Sequence, residues 1–371
     1  MLSYRAAVVF ICVSLCSLVS SGRSPVVASR RGPLLVRSVP VGISPQALAV
    51  DPDTERVFVA SSGSNTISVL DARTGTVIRT TRMGGTPQAI AVDRRTDRAF
   101  VVNGASNTVS VLDAFTGRVV RTVAVGKEPV NVATDEVSHR AFVISNVADT
   151  VSVLDTQTGA EIRRVRVGAA PRDLAIDPDT NRVFVLDSGT AAPNATDVPR
   201  NPVSMLDART GVTLRTFMVG QIGSVVPGEV AIDSQNHHLF VANSDSNTVM
   251  MIDTHTGTIL KTLPIHQPLY ITISARTHHA FVLTVNKVPL TIVNTGTGAV
   301  IRTTAIPGGA LQAAVDDQHG RVVITSNDLN SGAHRVSVVD AQTGALVWTC
   351  SATGNVFGKE FLPVHGRSAG Q

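Results

Sequence analysis

A five-residue segment ending in Thr-Gly recurs seven times along the chain. The first copy occupies residues 71–75, and the later copies begin at Asp113, Asp155, Asp207, Asp253, Asn294 and Asp340. Successive copies begin 41 to 52 residues apart. A length of 371 residues would by itself suggest two or three domains. Seven copies at this spacing instead predict a single array of repeated units.

Each unit is predicted to contain four short strands. In the second unit, residues 89–93 and 99–103 are apolar runs, and 108–113 alternate between apolar and polar residues as a half-buried strand does. Residues 118–125 follow the Thr-Gly turn as a fourth strand. Four strands per unit without helical periodicity are typical of one propeller blade. The sequence therefore predicts an all-β fold, a seven-bladed β-propeller of four-stranded antiparallel blades over residues 29–351.

Composition excludes several classes of function. Apolar residues make up 43% of the chain and charged residues 16%, which allows a large core and rules out charge-driven disorder. A formal net charge of +4 gives no electrostatic basis for wrapping duplex nucleic acid. Aromatic residues are only 4% of the chain. This disfavours a protein that binds single-stranded nucleic acid, because such proteins stack bases on aromatic side chains.

The two ends of the chain are expected to lie outside the propeller. Residues 1–28 resemble a signal peptide, since Arg5 precedes the apolar residues 6–19 and residues 26–28 offer a small-residue cleavage site. An uncleaved membrane anchor is the alternative. We therefore expect an exported protein, periplasmic or extracellular, with no membrane span in the mature chain. Residues 352–371 are expected to form a flexible tail.

The cysteines fit an exported protein with a large core. Cys12 and Cys16 lie within the signal segment, so Cys350 is the one cysteine of the mature chain. The mature chain can then form no internal disulfide, which suits a protein of a bacterial-type envelope.

The strand sequences resemble a known family. Phe-Val followed by a small or apolar residue and then a polar one occurs at 58–61, 100–103, 142–145, 184–187, 240–243 and 281–284. Together with the Thr-Gly turns, this resembles the YVTN-type repeat of YncE-like exported β-propellers. The resemblance covers about residues 34–351 and implies a seven-bladed propeller outside the cytoplasm. It implies no shared catalytic residues.

The sequence leaves open how the ring closes. Residues 34–41 and 346–351 both resemble the fourth strand of a blade. An N-terminal strand that completes the last blade would remove exposed sheet edges, so we expect residues 34–41 to do so. The alternative is that they pair outside that blade.

Residues that recur in every repeat are explained by the blade itself. The aspartates that end the first strands, and those before Thr-Gly, are expected to cap turns. The adjacent His237 and His238, like His278 and His279, point apart on an extended chain and make a poor chelate. The sequence predicts neither a metal site nor a cofactor.

Insertions into the repeat are predicted to lie on one face. Residues 188–202 and 327–334 lengthen connections between second and third strands, and residues 220–227 lengthen a connection between a fourth and a first strand. Alternating strand directions bring these connections to the same end of the blades, which we call the loop face. The opposite end is the turn face. A binding surface is the interpretation that we favour, and drift of exposed loops is the alternative.

Polar side chains also break the repeat beside the channel on the loop face. At the second position after the loop proline, the first two blades carry Ala47 and Ala89. The later blades, with one neighbouring arginine, supply the channel-mouth set: Asn131, Arg172, Asp173, Glu229, Tyr270 and Gln312. We predict that this set binds a small polar ligand through convergent hydrogen bonds. Solvated side chains at a channel mouth are the alternative.

These observations favour an exported, non-enzymatic β-propeller that binds an unknown protein, glycan or small polar ligand through its loop face and channel mouth. An enzyme at the channel mouth, either a lactonase-like hydrolase or a quinone-dependent oxidoreductase, is the alternative. Only two carboxylates lie at the mouth, the chain has a single tryptophan, and no Gly-x-Ser-x-Gly motif is present. Nucleic acid is not expected as a partner. The ligand and the oligomeric state stay open.

Overall fold

The computed structural model describes residues 39, 41–188, 202–219, 228–244, 246–284, 290–306, 309–317, 319–327, 334–352 and 362–363. Most of this part of the chain is strand or turn, with one short 3-10 helix at Gly104–Ser106. Within it, no helix has the length and apolar character needed to cross a membrane.

Strands β1 to β28 form seven antiparallel sheets, and each sheet is a blade of four consecutive strands. Blades one to three comprise β1 (Pro45–Asp51), β2 (Arg56–Ser61), β3 (Thr66–Asp71), β4 (Val77–Arg82), β5 (Pro87–Asp93), β6 (Arg98–Asn103), β7 (Thr108–Asp113), β8 (Val119–Ala124), β9 (Pro129–Asp135), β10 (Arg140–Ser145), β11 (Thr150–Asp155) and β12 (Glu161–Arg166). Blades four and five comprise β13 (Pro171–Asp177), β14 (Arg182–Asp187), β15 (Pro202–Asp207), β16 (Thr213–Met218), β17 (Val230–Asp233), β18 (His238–Asn243), β19 (Thr248–Asp253) and β20 (Ile259–Pro264). Blades six and seven comprise β21 (Pro268–Ser274), β22 (His279–Thr284), β23 (Leu290–Asn294), β24 (Val300–Thr304), β25 (Gly309–Asp316), β26 (Arg321–Asn327), β27 (His334–Asp340) and β28 (Leu346–Ala352). The prediction of an all-β, seven-bladed propeller is confirmed.

The first strand of each blade is the innermost one. Strands β1, β5, β9, β13, β17, β21 and β25 contact one another in that order from blade to blade. The fourth strands, such as β4, β8 and β12, are mostly exposed. The first strands therefore surround the central channel, and the fourth strands form the rim.

The core lies between blades. Six second strands each contribute one fully buried phenylalanine: Phe58, Phe100, Phe142, Phe184, Phe240 and Phe281. Each ring lies in a cluster with the following blade, as Phe100 does with Ala141 and Val143. Because aliphatic side chains and one phenylalanine in each of six blades fill this space, the fold needs few aromatic residues.

The Thr-Gly turns stabilise both their own blade and its neighbour. Asp71 Oδ1 accepts hydrogen bonds from the backbone N–H and the hydroxyl of Thr74, at 2.7 and 2.9 Å. Gly75 has a φ of +66°, which glycine adopts without strain. At the rim, Arg79 Nε donates to the Thr116 carbonyl oxygen of the next blade at 2.7 Å. The recurrent aspartates before Thr-Gly therefore cap turns, as expected.

The expectation that residues 34–41 complete the last blade is wrong. The fourth strand of blade seven is β28, and its outer edge pairs with β29 (Leu362–Pro363). Strand β28 follows β27 through a short turn. The pairing of these two strands therefore costs much less loop-closure entropy than the pairing of β27 with a strand from the other end of the chain. Val39 and Val41 instead pack against the side of blade one.

Parts of the predicted terminal segments lie outside the described residues. This holds for the signal segment, residues 1–28, and for residues 34–38 and 40. Of the predicted tail, residues 352–371, the structure describes Ala352 and the two residues of β29.

Candidate functional site

The channel-mouth set lies in one row of the inner strands. Four of its members occupy the same register step of their first strand: Asn131, Asp173, Tyr270 and Gln312. Glu229 immediately precedes the first strand of blade five. Blades one and two carry Ala47 and Ala89 at this step. These positions therefore form an arc over blades three to seven at the loop-face end of the channel.

Three of these side chains form hydrogen bonds between neighbouring blades. The Asn131 side-chain amide donates to Asp173 Oδ1 at 2.9 Å. Asp173 Oδ2 accepts from the backbone N–H of Val230 at 2.8 Å. Glu229 Oε2 accepts from the backbone N–H of Ile271 at 3.4 Å. The contacts run from blade three to blade six, so these polar groups stabilise the ring itself.

Asp173 combines a structural role with an unusual titration. Burial raises the pKa of its carboxyl to about 6, against hydrogen bonds from two backbone N–H groups and from Asn131 that lower it. This carboxyl therefore changes its charge close to neutral pH. Beside it, Arg172 is exposed, and Tyr270 is half-buried. The mouth offers a titrating acid, a cation and a phenol, and binding of a ligand by them stays a prediction.

The ends of the strands place the three insertions on the loop face. They join β14 to β15, β16 to β17 and β26 to β27. Because the strands of each blade alternate in direction, these connections lie at the same end as the channel-mouth set. Most of their residues lie outside the described part of the chain.

On the turn face, the histidines contact neighbouring blades. His237 Nδ1 lies 3.7 Å from Asp177 Oδ2 of the preceding blade. His238 Nδ1 lies 2.7 Å from the carbonyl oxygen of Thr295 in the following blade. Adjacent histidines thus point apart, as expected. In the part of the chain that the structure describes, no three His, Cys, Asp or Glu side chains cluster as metal ligands.

Sequence reasoning missed Asp187, the last residue of β14 on the loop face. Its side chain is fully buried, and Oδ2 accepts hydrogen bonds from the Ser204 hydroxyl at 2.8 Å and the Gly168 N–H at 3.2 Å. Burial, with a further contribution from the negative charge of Asp149, raises the pKa of Asp187 to about 7. The available signal was that the other six blades carry Ser, Asn or Thr at this position.

Comparison with known sequences agrees with the resemblance in the strands. Residues 10–140 match the YNCE-like beta-propeller family. No curated protein matches the chain by sequence.

Comparison with solved structures finds the same fold in proteins of different kinds. The chain is similar to Kuenenia stuttgartiensis hydrazine synthase, with 16% identity and a TM-score of 0.62 over 80% of this chain and 95% of that one. It is similar to BamB from Moraxella catarrhalis, with 16% identity and a TM-score of 0.60 over 83% and 88%. The computationally designed Ika8 protein gives 17% identity and a TM-score of 0.64 over 82% and 86%. Such identities show the fold alone. The chain is thus a seven-bladed β-propeller whose residues 10–140 match the YNCE-like family.

Proposed function

We propose that this protein is an exported scaffold that binds a protein, glycan or small polar ligand on its loop face and at its channel mouth, without a reaction of its own. The difference in connection length between the two faces carries the proposal. On the turn face, every connection has four or five residues, whereas on the loop face the connections range from 3 to 14 residues. Variation confined to one face is typical of a binding surface on a constant scaffold.

The hydrogen bonding at the mouth supports binding more than catalysis. Asp173 accepts hydrogen bonds from Asn131 and from the backbone N–H groups of Leu174 and Val230. A general base needs a lone pair directed at the substrate, and three donors already engage this carboxylate. Fixed polar groups around a channel can still orient a bound ligand.

Export is supported by the pattern of residues 1–28, with its positive start, apolar run and small-residue site. The test is expression of the full chain in cells of a bacterium, followed by fractionation and mass measurement. We expect an exported protein that has lost about its first 28 residues, as the signal pattern predicts. A full-length protein in the cytoplasmic fraction would contradict export.

Binding by the loop face is tested with a variant in which residues 189–201 are shortened to the four-residue connection length of blade three. Crosslinked complexes of the tagged protein are recovered from its cells and compared between wild type and variant. The matched control is Val137→Glu, which changes an exposed position on the turn face. We expect the shortened variant to lose its complex and the control to keep it. An unchanged complex in the shortened variant would contradict the role of this loop.

A further inference from the structure

The inner edge of each first strand directs backbone N–H groups into the channel. Pairing with an antiparallel strand uses the N–H groups of alternate residues only. In blade five, the Ala242 N–H donates to the Glu229 carbonyl oxygen at 3.0 Å, so Val230, the next residue, directs its own N–H away from the second strand. The residues at this step of the first strands form what we call the inner row: Leu48, Ile90, Val132, Leu174, Val230, Ile271 and Ala313.

One carboxylate of the channel-mouth set bridges two N–H groups of the inner row. Asp173 Oδ1 accepts from the N–H of Leu174 in blade four at 2.9 Å. Asp173 Oδ2 accepts from the N–H of Val230 in blade five at 2.8 Å. The two oxygens of a single carboxylate therefore span the distance between inner-row N–H groups of adjacent blades.

Side-chain oxygens also occupy the inner-row N–H groups of blades three and six. Asn131 Oδ1 accepts from the N–H of Val132 at 2.8 Å. Glu229 Oε2 accepts from the N–H of Ile271 at 3.4 Å. In blades three to six, the chain itself thus supplies an acceptor for every N–H group of the inner row.

Blades one and two lack such acceptors. The residues that precede Leu48 and Ile90 are Ala47 and Ala89, whose side chains carry no oxygen. Among the described residues, no side-chain oxygen accepts a hydrogen bond from the N–H of Leu48 or Ile90. Strands β1 and β5 contact each other as the first strands of adjacent blades. Their two N–H groups therefore form a pair equivalent to the one that Asp173 bridges between blades four and five.

We propose that the N–H groups of Leu48 and Ile90 bind the carboxylate of a small acidic ligand in the channel mouth. The ligand carboxylate occupies the place between blades one and two that the Asp173 carboxylate occupies between blades four and five. Each of its oxygens accepts one N–H, and hydrogen bonds to an ionised acceptor are stronger than those between neutral groups. The proposal rests on the proposed function, because it names the class of small ligand that the channel mouth takes.

The test is an NMR titration of the purified, isotope-labelled protein with sodium acetate, the carboxylate probe, at constant ionic strength. Acetamide is the neutral probe of similar shape. We expect acetate to move the amide proton signals of Leu48 and Ile90 downfield until they saturate. Both signals should follow one binding curve, because one carboxylate engages both groups. Acetamide should bind at least about tenfold more weakly, since it lacks the charge.

Variants at position 47 change the site without removing a backbone group. A47D places a carboxylate where Asp173 lies in blade four, so it should bond to both N–H groups and abolish the acetate response. A47N should occupy the Leu48 N–H as Asn131 occupies that of Val132, and weaken acetate binding about tenfold. The matched control is A124N, the same change at an exposed position of the rim, which should keep wild-type affinity.

Three results would overturn the proposal. These are signals of Leu48 and Ile90 that acetate leaves unchanged in wild type, an equal response to acetamide, and an acetate response that persists in A47D because the carboxylate binds elsewhere. Failure of the loop-face complex is distinguishable from all three. It would appear as an unchanged complex in the variant shortened at residues 189–201, whereas the acetate titration uses purified protein and does not involve that loop.

Discussion

Two buried aspartates, one on each face, show how differently this propeller uses a carboxylate. On the turn face, Asp233 accepts hydrogen bonds from Thr295, Asn236 and His278. Burial alone would raise the pKa of Asp233, but these donors outweigh it and hold that pKa below its usual value. On the loop face, Asp187 has donors to one oxygen only and an acid nearby, and its pKa is raised to about 7.

The two aspartates also differ in how often they occur among the blades. An aspartate at the end of the first strand recurs in six blades: Asp51, Asp93, Asp135, Asp177, Asp233 and Asp316. Its carboxylate accepts backbone N–H groups of the following turn, as Asp51 Oδ1 does from Asp53 at 3.0 Å. Asp187 has no acidic counterpart in the other blades. A recurrent acid is therefore part of the scaffold, and a unique buried acid is a candidate for function.

The largest effect is expected when the pH dependence of unfolding free energy is compared between wild type and the D187N variant. Burial raises the pKa of Asp187 in the folded protein to about 7, well above its usual value of 3.8. Relative to D187N, wild type should therefore lose stability as pH rises from about 4 to about 7, by up to about 4 kcal/mol. D187N should keep only the part of the pH dependence that comes from other groups, such as Asp173. The measurement is the free energy of unfolding in urea at pH 4 to 8, and parallel curves for the two proteins would contradict the raised pKa.

A smaller effect is expected from Asp233→Ala at pH 7. The substitution leaves Thr295, Asn236 and His278 without their shared acceptor, which should cost about 3 kcal/mol of unfolding free energy. Because the folded pKa of Asp233 is lowered, this stabilisation is lost as pH falls below about 4, so the variant and wild type should converge there. Asp53→Ala, at an exposed position, is the control and should change stability by less than about 0.5 kcal/mol. A loss below about 1 kcal/mol for Asp233→Ala would contradict the structural role.

Asn131 links the channel mouth to the scaffold, and its substitution should have an intermediate effect. Asn131→Ala removes one donor to Asp173, which should cost about 1 kcal/mol and raise the pKa of Asp173 further above 6. Asn131→Asp places a second acid there and should cost more at pH 8 than at pH 5. Urea unfolding at both pH values measures this. Equal stability of the two variants at pH 8 would argue against the contact.

The smallest effect is expected from shortening residues 189–201. A shorter connection slightly lowers the entropy cost of loop closure, so the unfolding free energy should change by less than about 0.5 kcal/mol. Lengthening the turn at residues 136–139 by the same number of residues should be more costly, because Asp135 Oδ1 accepts the Val137 N–H in that turn. Urea unfolding of both variants checks this. Equal losses of unfolding free energy in the two variants would contradict the idea that the loop face tolerates changes of connection length better than the turn face.

The sequence predicts the blades well because seven copies of one pattern support each other. Residues 89–93 and 118–125 correspond to Pro87–Asp93 and Val119–Ala124 in the structure. The prediction that residues 34–41 complete the last blade was wrong. It rested on a general argument about exposed sheet edges, whereas β27 and β28 form a local hairpin that costs less loop-closure entropy.

The contacts between blades could not be predicted from the sequence. The repeat predicts that Asn131 and Asp173 lie in one ring of positions. It does not predict which neighbouring blade each side chain contacts. Asp187 was visible as the one acid among equivalent residues. It was overlooked because it fitted the polar position of the strand pattern at 184–187. A comparison of all seven copies, position by position, would have identified it.

A photo-crosslinking amino acid at Val147 or at Val137 tests most directly whether the loop face is the binding surface. Both positions belong to blade three and are similarly exposed, at 48% and 55%, but Val147 lies on the loop face and Val137 on the turn face. Irradiation in cells that export the protein should give a discrete adduct from position 147 and none from position 137. Adducts from position 137 alone, or equal adducts from both, would contradict a division of the propeller into a binding face and a scaffold face.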